Sequence, residues 1–223
     1  MCRFLVLQSK EKININELIF DFAKAAKKCI SFDGDWQGDG WGMCWLNDDN
    51  EWILHKSIAP IWEEEKIFAS APPTKSLLIH ARSASFEKHK NNLDFNQPYL
   101  NNSYAYVFNG LIKGIKLPYS VEGKIGAQKI WSLLQKYLKE QITNKEEMAL
   151  LNLQETLIKY SKEIQATNIV FCNSYNMYCL SIYNAYPDYY QLMIYNSGKL
   201  KIISSLRLKK YNFKLLKPGR YKF

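Results

Sequence analysis

Apolar and polar residues follow a pattern that predicts strands in the first part of the chain. The apolar run at residues 2–9 (CRFLVLQS) predicts a strand. Residues 14–29 carry apolar side chains at helical spacing, and they predict a helix with Asn16 as its N-cap. Residues 33–46 predict a glycine-rich turn that leads into a strand. That strand is expected to form a hairpin with the alternating segment at residues 51–58.

The same pattern predicts further strands, then two helices, then strands again. Residues 76–85 (SLLIHARSAS) predict a buried strand that runs into a polar loop, and residues 104–114 predict a strand that ends at Asn-Gly. Residues 126–142 and 145–164 have the apolar stripe of helices. Residues 167–223 return to short alternating segments separated by turns, which favours strands.

The order of these elements predicts an α+β fold in which helices pack on antiparallel sheets. No repeat or linker interrupts the pattern, so we expect residues 1–223 to form a single domain. The hydrophobic fraction of 47% and the charged fraction of 23% fit a soluble globular protein. The sequence has no apolar stretch of bilayer-spanning length and no secretion signal, so we expect a cytoplasmic protein without a membrane partner.

The net charge of +9 is concentrated near the end of the sequence. Residues 199–223 hold nine Lys and Arg side chains and no Asp or Glu. Because these basic residues are interspersed with apolar ones, the segment predicts folded strands with a basic, solvated outer face. A nucleic acid or another anionic partner on this face is a less favoured interpretation, since no recognised binding module accompanies the charge.

The cysteines argue against both a disulfide framework and a zinc site. Their number, five, is odd, and the sequence contains no CxxC pair. The three histidines are scattered, so we expect no bound metal.

Cys2 is the first candidate for chemistry. Removal of Met1, which requires a small second residue, would place a thiol and a free α-amine on the same residue. The amine titrates near pH 8 and can act as general base for its own thiol. For Cys2 taken alone, an inert buried thiol is the stronger interpretation.

Two polar segments follow predicted strands and offer binding groups. In IHARSAS, Arg82 is suited to grip a carboxylate and lies near Ser85, although an arginine that caps backbone carbonyls is an equal alternative. In YVFNGLI, the Asn109 amide and the Gly110 N–H could converge as an oxyanion hole. An ordinary Asn-Gly turn is the default interpretation of that pair.

A glycine-rich segment, GDGWGMCW at residues 38–45, is the fourth feature. Its glycines permit close backbone approach, but it lacks the Lys and Ser/Thr of a phosphate-binding loop. A tight glycine turn with Trp41 in the core is the alternative to a role in a binding pocket.

Taken together, these segments resemble the class II glutamine amidotransferases, which are N-terminal nucleophile hydrolases. The shared segments occur in the family's order and span nearly the whole chain, with weak similarity over residues 127–190: MCR (1–3), GWG (40–42), HARSAS (80–85), NQPY (96–99), FNG (108–110), IISS (202–205) and LKPGRY (216–221). The resemblance implies the four-layer αββα sandwich. No synthase or isomerase domain follows in this sequence, so the resemblance is to the stand-alone branch, which includes γ-glutamyl amide hydrolases.

The resemblance implies a role for each matched residue. Cys2 would attack a γ-amide carbonyl, while Asn109 and Gly110 would hold the oxyanion. The substrate-binding roles would fall to Arg82 on the α-carboxylate, Ser85 beside it, and Trp41 and Gly42 as pocket-shaping residues. The reaction needs no cofactor. Its substrate would be glutamine or another γ-glutamyl amide, and any synthase that received ammonia would be a separate chain.

Two departures from the family's pattern concern substrate recognition. Gly126 stands where the family has the Asp that grips the substrate's α-ammonium, and Gln128 stands where it has Glu. Gln97 replaces a His that often precedes Pro. The acidic residues that could substitute for the missing Asp are Glu122, Asp39 and Glu87.

These departures leave two functions open. The leading hypothesis is an amidohydrolase that acts on glutamine or on a modified or N-blocked γ-glutamyl compound. The alternative is a catalytically degenerate amidotransferase-like domain that serves as a binding or regulatory subunit.

Overall fold

The structure is a computed structural model that describes residues 2–30, 32, 34 and 36–223. The strands of the described residues, numbered in chain order, are β1 Arg3–Ile13, β2 Trp41–Leu46, β3 Trp52–Ser57, β4 Thr74–Ala81, β5 Tyr99–Leu100, β6 Ala105–Lys113, β7 Glu163–Cys172, β8 Met177–Tyr183, β9 Met193–Asn196, β10 Leu200–Ser204, β11 Lys214–Leu215 and β12 Gly219–Lys222. The α-helices are α1 Asn16–Lys28, α2 Glu65–Ala69, α3 Gly126–Glu140, α4 Lys145–Tyr160 and α5 Pro187–Tyr190.

The strands form two antiparallel sheets. One has the order β11-β9-β10-β1-β4-β2-β3, and the other has the order β12-β8-β7-β6-β5. Three apolar clusters separate the layers. One lies between α1 and the first sheet, one lies between the two sheets, and one lies between the second sheet and the pair α3 and α4. This is the predicted α+β arrangement, with four layers in the order αββα.

The first helix begins as its apolar stripe predicts, but its cap differs from the prediction. Leu18, Ile19 and Phe22 are buried against the first sheet. Asn16 is the first helical residue, and its own side chain donates to the carbonyl of Ala69. The side chain of Asn14 instead accepts from the Asn16 N–H over 2.9 Å. The predicted capping role of Asn16 is therefore wrong, because Asn16 already lies within the helix and Ile15 is the N-cap.

The strand β6 does not end at Asn-Gly, contrary to the sequence prediction. Asn109 lies opposite Asn168 and Gly110 lies opposite Thr167, so the pair sits inside the ladder with β7. A Cβ on Gly110 would collide with the carbonyl oxygen of Ala166 on β7. The glycine thus permits a close approach of two strands rather than a turn.

Some basic residues of the last segment pair with acidic side chains from elsewhere in the chain. Lys199 lies 3.2 Å from Glu11, and Lys222 lies 3.2 Å from Glu147. Since these pairs are exposed, each adds little to stability. They indicate that part of the concentrated positive charge is balanced within the fold.

The cysteines are all free, and three of them lie in the core. Burial raises the pKa of the Cys44, Cys172 and Cys179 thiols. Cys2 and Cys29 are only partly buried. Within the described part of the chain, no helix has both the length and the apolar character needed to cross a bilayer, and no cluster of three or more His, Cys, Asp or Glu side chains could hold a metal.

Candidate active site

Strand alternation brings the candidate residues to one end of the space between the two sheets. Successive side chains of a strand point to opposite faces. Phe4, Leu78 and Val107 all lie in the inter-sheet cluster. Residues two or four positions from them on the same strands therefore share that face. They are Cys2 beside β1, His80 and Arg82 at the end of β4, and Asn109 on β6.

Cys2 is held between the end of β4 and the middle of β6. Its Sγ lies 3.5 Å from both the backbone nitrogen and the carbonyl oxygen of Ser83. Its carbonyl oxygen accepts a hydrogen bond of 2.8 Å from Nδ2 of Asn109. The thiol thus lies on the wall formed by Ser83, and the backbone of Cys2 is tied to Asn109.

Arg3 anchors the strand immediately after Cys2, a role that sequence reasoning missed. Its Nη1 donates to the carbonyls of Tyr189 and Ser205 over 2.7 and 2.9 Å, and its guanidinium lies 3.4 Å from the centre of the Tyr189 ring. Its Nε contacts the sulfur of Cys29 at 3.2 Å. These contacts fix the position of the backbone that carries Cys2. The one sequence signal for this role was a large, charged side chain at the start of a predicted strand.

The Gly110 N–H points toward the open edge of β6. The amide of Gln97 bonds both the N–H and the carbonyl of Phe108, over 2.6 and 3.1 Å. Backbone groups two residues apart on a strand face the same edge, so the Gly110 N–H faces the side that Gln97 occupies rather than β7. The short strand β5 pairs only with Tyr106 and Ala105. The edge beside Gly110 is therefore not covered by a strand.

Asn109 keeps hydrogen-bonding capacity that the fold does not use. One N–H of its amide binds the Cys2 carbonyl, which leaves the second N–H. Its Oδ1 is buried and has no hydrogen-bond partner among the described residues. A buried acceptor left in this way costs about 1–3 kcal/mol unless a ligand or water satisfies it.

Arg82 is buried, with 4% of its surface exposed, and it binds three protein oxygens. Its Nη1 donates to the Asp39 carbonyl and to Oδ1 of Asn96, and its Nη2 donates to the His89 carbonyl over 2.6 Å. Arg82 thus caps two backbone carbonyls, as the structural alternative for this arginine predicted. A guanidinium has five N–H donors. Two of those on Arg82 form no hydrogen bond to another described residue.

Asp39 supports the loop that carries Arg82 and Ser83. Its Oδ2 accepts from the Ala84 N–H over 2.7 Å, and its backbone N–H donates to the Arg82 carbonyl. Lys90 lies 3.8 Å from its other oxygen. Because its carboxylate is engaged in this way, Asp39 is a poor candidate for binding a substrate ammonium.

Trp41 and Gly42 do not line the site, which corrects the expectation that they shape the pocket. Trp41 alternates to the other face of β2, where it is fully buried under α1 and donates to Glu64 over 2.6 Å. A Cβ on Gly42 would lie 2.5 Å from the Gln97 carbonyl. The absence of a side chain at Gly42 thus lets the backbone of Gln97 pack closely against β2.

His80 is fully buried at the site, on the strand that leads to Arg82. Burial lowers its pKa to about 3, and the positive charge of Arg82 acts in the same direction. His80 is therefore neutral at physiological pH and adds no charge to the site.

A cavity of about 860 Å³ opens beside these residues. Cys2, Arg82, Asn109 and Gly110 line its inner end, and Ser85 lies exposed at its rim. The far wall comes from residues 115–125 and from the first two turns of α3. Sequence reasoning did not assign residues 115–125. The one signal there was the alternation of apolar side chains at Ile115, Leu117, Tyr119 and Val121.

No Asp or Glu stands among the described residues that line the cavity. Glu87 is 86% exposed and pairs with Lys90, and Glu122 is also exposed and outside the lining. Gly126 does line the cavity, whereas the Gln128 amide turns back to accept from the Lys124 N–H over 2.8 Å. None of the candidate substitutes for the missing Asp therefore reaches the cavity.

The fold is that of solved class II glutamine amidotransferase domains. No family model and no curated protein matches the sequence. A glutamine aminotransferase class-II domain protein from Silicibacter pomeroyi superposes with a TM-score of 0.63 at 12% identity, over 99% of this chain and 94% of that one. A predicted glutamine amidotransferase from Pseudomonas aeruginosa gives 0.55 at 11% identity, over 100% and 97%.

A longer amidotransferase shares the fold over part of its length. The glutamine phosphoribosylpyrophosphate amidotransferase from B. subtilis gives a TM-score of 0.56 at 13% identity, over 100% of this chain and 49% of that one. The present chain therefore spans about half the length of that enzyme.

Proposed function

We propose that this protein is an amidohydrolase that uses Cys2 as an N-terminal nucleophile on the γ-amide of glutamine or of a γ-glutamyl compound. One observation carries the proposal. The Cys2 thiol, the Asn109 amide and the outward N–H of Gly110 border the same cavity. A nucleophile next to two N–H donors is the arrangement that acyl transfer requires.

The chemistry follows from the groups of Cys2 itself once Met1 is removed. The α-amine takes the thiol proton, and the sulfur attacks the amide carbon. The negative charge on the carbonyl oxygen is stabilised by the second N–H of Asn109 and by the Gly110 N–H. The C–N bond then breaks, and the leaving amine departs with the proton. Water attacks the thioester, which releases the carboxylic acid and restores the thiol.

Arg82 and Ser85 are proposed to bind the substrate's α-carboxylate. Arg82 has two N–H donors left after its protein contacts, and its positive charge lies in a buried, low-dielectric position. The Ser85 hydroxyl is exposed at the cavity rim. A charge-assisted pair with Arg82 would orient the γ-amide toward Cys2.

The alternative function, a catalytically degenerate binding or regulatory domain, is favoured by the absence of a carboxylate among the described residues that line the cavity. Such a domain would bind a γ-glutamyl ligand without turning it over. A synthase that received ammonia would be a separate chain in either case.

The test begins with intact mass, which establishes whether Met1 is absent from the purified protein. The processed protein is then assayed for amine release across a panel of γ-glutamyl amides, alongside Cys2→Ala and Cys2→Ser. Both variants keep a small second residue, so Met1 removal is preserved. We expect turnover by the wild type and none by Cys2→Ala. Equal turnover by Cys2→Ala would refute the nucleophile, and a processed Cys2 that never reacts with a glutamine-analogue electrophile would favour the binding domain.

A further inference from the structure

The charged side chains that line the cavity are all cationic. Arg82 lies at the inner end, and Lys116, Lys124 and Lys129 lie around the outer wall. The described lining holds no carboxylate to offset them. A substrate with a free α-ammonium would therefore enter a field of like charge, which disfavours its binding.

Much of the remaining cavity wall is apolar. Its apolar lining includes the aromatic side chains of Phe86, Phe95 and Phe108 and the aliphatic side chains of Ile115, Leu117 and Val121. A cavity of about 150 Å³ lined by apolar groups already holds a benzene molecule. The volume here, about 860 Å³, is therefore much greater than an unmodified amino acid fills.

Gly126 leaves an open space on the wall at the start of α3. A Cβ built on it meets no atom within 4 Å, and its backbone is not in the left-handed region. The glycine is therefore not required by packing or by backbone conformation. At Gly126 the cavity wall therefore has neither a side chain nor a charge.

We propose that the cavity selects γ-glutamyl amides whose α-amine carries an apolar acyl group. This inference rests on the proposed amide hydrolysis and names its substrate class. Acylation removes the positive charge of the substrate's α-ammonium, which the three lysines and Arg82 repel. The substrate's α-carboxylate keeps its attraction to these cations, and the acyl chain has the apolar wall to bury against. Each buried methylene then strengthens binding by about fourfold.

The first experiment compares three substrates that share the same γ-anilide leaving group. Their α-amine is free, acetylated or octanoylated, and release of the aniline is followed with protein whose Met1 has been shown to be removed. The covalent step is the same for all three, so the ratio of kcat/KM reports recognition of the amine. We expect the octanoyl compound to exceed the free amine by at least tenfold. A free amine that reacts as well as the acyl compounds would overturn the inference and leave amide hydrolysis standing.

The second experiment places a carboxylate in the open space. Gly126→Asp should raise kcat/KM for the free-amine substrate by roughly tenfold, since a charged hydrogen bond is worth that much or more, and should lower it for the acylated ones. Gly126→Asn has the same shape without the charge, and its substrate ratio should stay within a few fold of wild type. An unchanged preference in Gly126→Asp would contradict the assigned recognition.

A binding measurement separates failure of the substrate class from failure of the chemistry. Calorimetric titration of Cys2→Ala with N-octanoylglutamine and with glutamine should show tighter binding of the acylated compound by at least tenfold. If the wild type binds this compound but hydrolyses none of the anilides, the proposed hydrolysis is refuted and the ligand class stands. Equal or absent binding of the two glutamines overturns the ligand class.

Discussion

The side-chain amide of Asn109 donates to the carbonyl of Cys2 across 2.8 Å and ties the start of β1 to the middle of β6. These two strands belong to different sheets. The bond therefore fixes Cys2, the proposed nucleophile, relative to the proposed oxyanion donors on the other sheet. It also places the unused donor and acceptor of Asn109 beside Cys2.

Asn109→Ala should lower kcat by about 10²–10³-fold, the usual cost of one lost oxyanion donor. The rate is measured on a γ-glutamyl anilide. Asn168 lies opposite Asn109 in the strand ladder, but its side chain bonds the Tyr190 carbonyl instead. Asn168→Ala is the matched control and should change stability more than kcat. A similar loss of kcat in both variants would argue against the role assigned to Asn109.

The neutral, buried state of His80 predicts a loss of stability in acid. Its pKa is about 3 in the folded protein and about 6.5 when unperturbed, so between these values the unfolded chain binds a proton that the folded chain does not. The free energy of unfolding should therefore fall as pH drops from 6.5 toward 3, by up to about 1.4 kcal/mol per pH unit from this residue. Urea titrations of wild type and His80→Gln over pH 7 to 5 isolate the effect. Parallel pH profiles would contradict it.

Gln97→Leu should destabilise the protein by about 1–3 kcal/mol, because it removes the amide that satisfies both backbone groups of Phe108. Chemical denaturation measures the loss. Gln97→Glu keeps the acceptor and loses only the donor, so it should retain the bond to the Phe108 N–H. A neutral Gln97→Leu would mean that this pairing does not hold the edge of β6.

Gly110→Ala and Gly126→Ala should have opposite effects on stability. The new methyl group at Gly110 meets the Ala166 carbonyl of the neighbouring strand, so strain of about 1–3 kcal/mol is expected. At Gly126 it enters open space at the start of a helix, where alanine is the better helix former. Thermal unfolding of the two variants checks the contrast. Equal melting temperatures would contradict it.

Thiol labelling of the folded protein should modify Cys2 and Cys29 and spare the other cysteines. The pKa values of Cys44, Cys172 and Cys179 are raised by burial, so these thiols stay protonated and out of reach. In a Cys29→Ser background, mass spectrometry should find a single fast label, on Cys2. Rapid labelling of a core cysteine would indicate that the inter-sheet core opens.

The sequence by itself determined the order of the elements, the α+β class and the segments that carry the candidate chemistry, while the four-layer αββα arrangement was implied by the family resemblance. Periodicity is a local property, so the helices at 126–142 and 145–164 and the strand before Arg82 could be predicted without coordinates. The cap was wrongly placed at Asn16 because Asn14 and Asn16, two residues apart, offer the same local signal. The end of the strand at Asn-Gly was wrongly predicted because local propensity does not register the pairing with β7, which extends β6 through Gly110.

Only the tertiary structure decided which side chains meet at the cavity. Trp41 and Gly42 are neighbours in sequence, yet strand alternation sends Trp41 under α1 and leaves Gly42 behind the Gln97 segment. Residues 115–125 have no regular element, and they became a cavity wall only through packing against α3. The cationic lining arises in the same way, since Arg82 meets three lysines from residues 116–129. Such contacts depend on the relative placement of two sheets and a helix, which no local pattern of residues encodes.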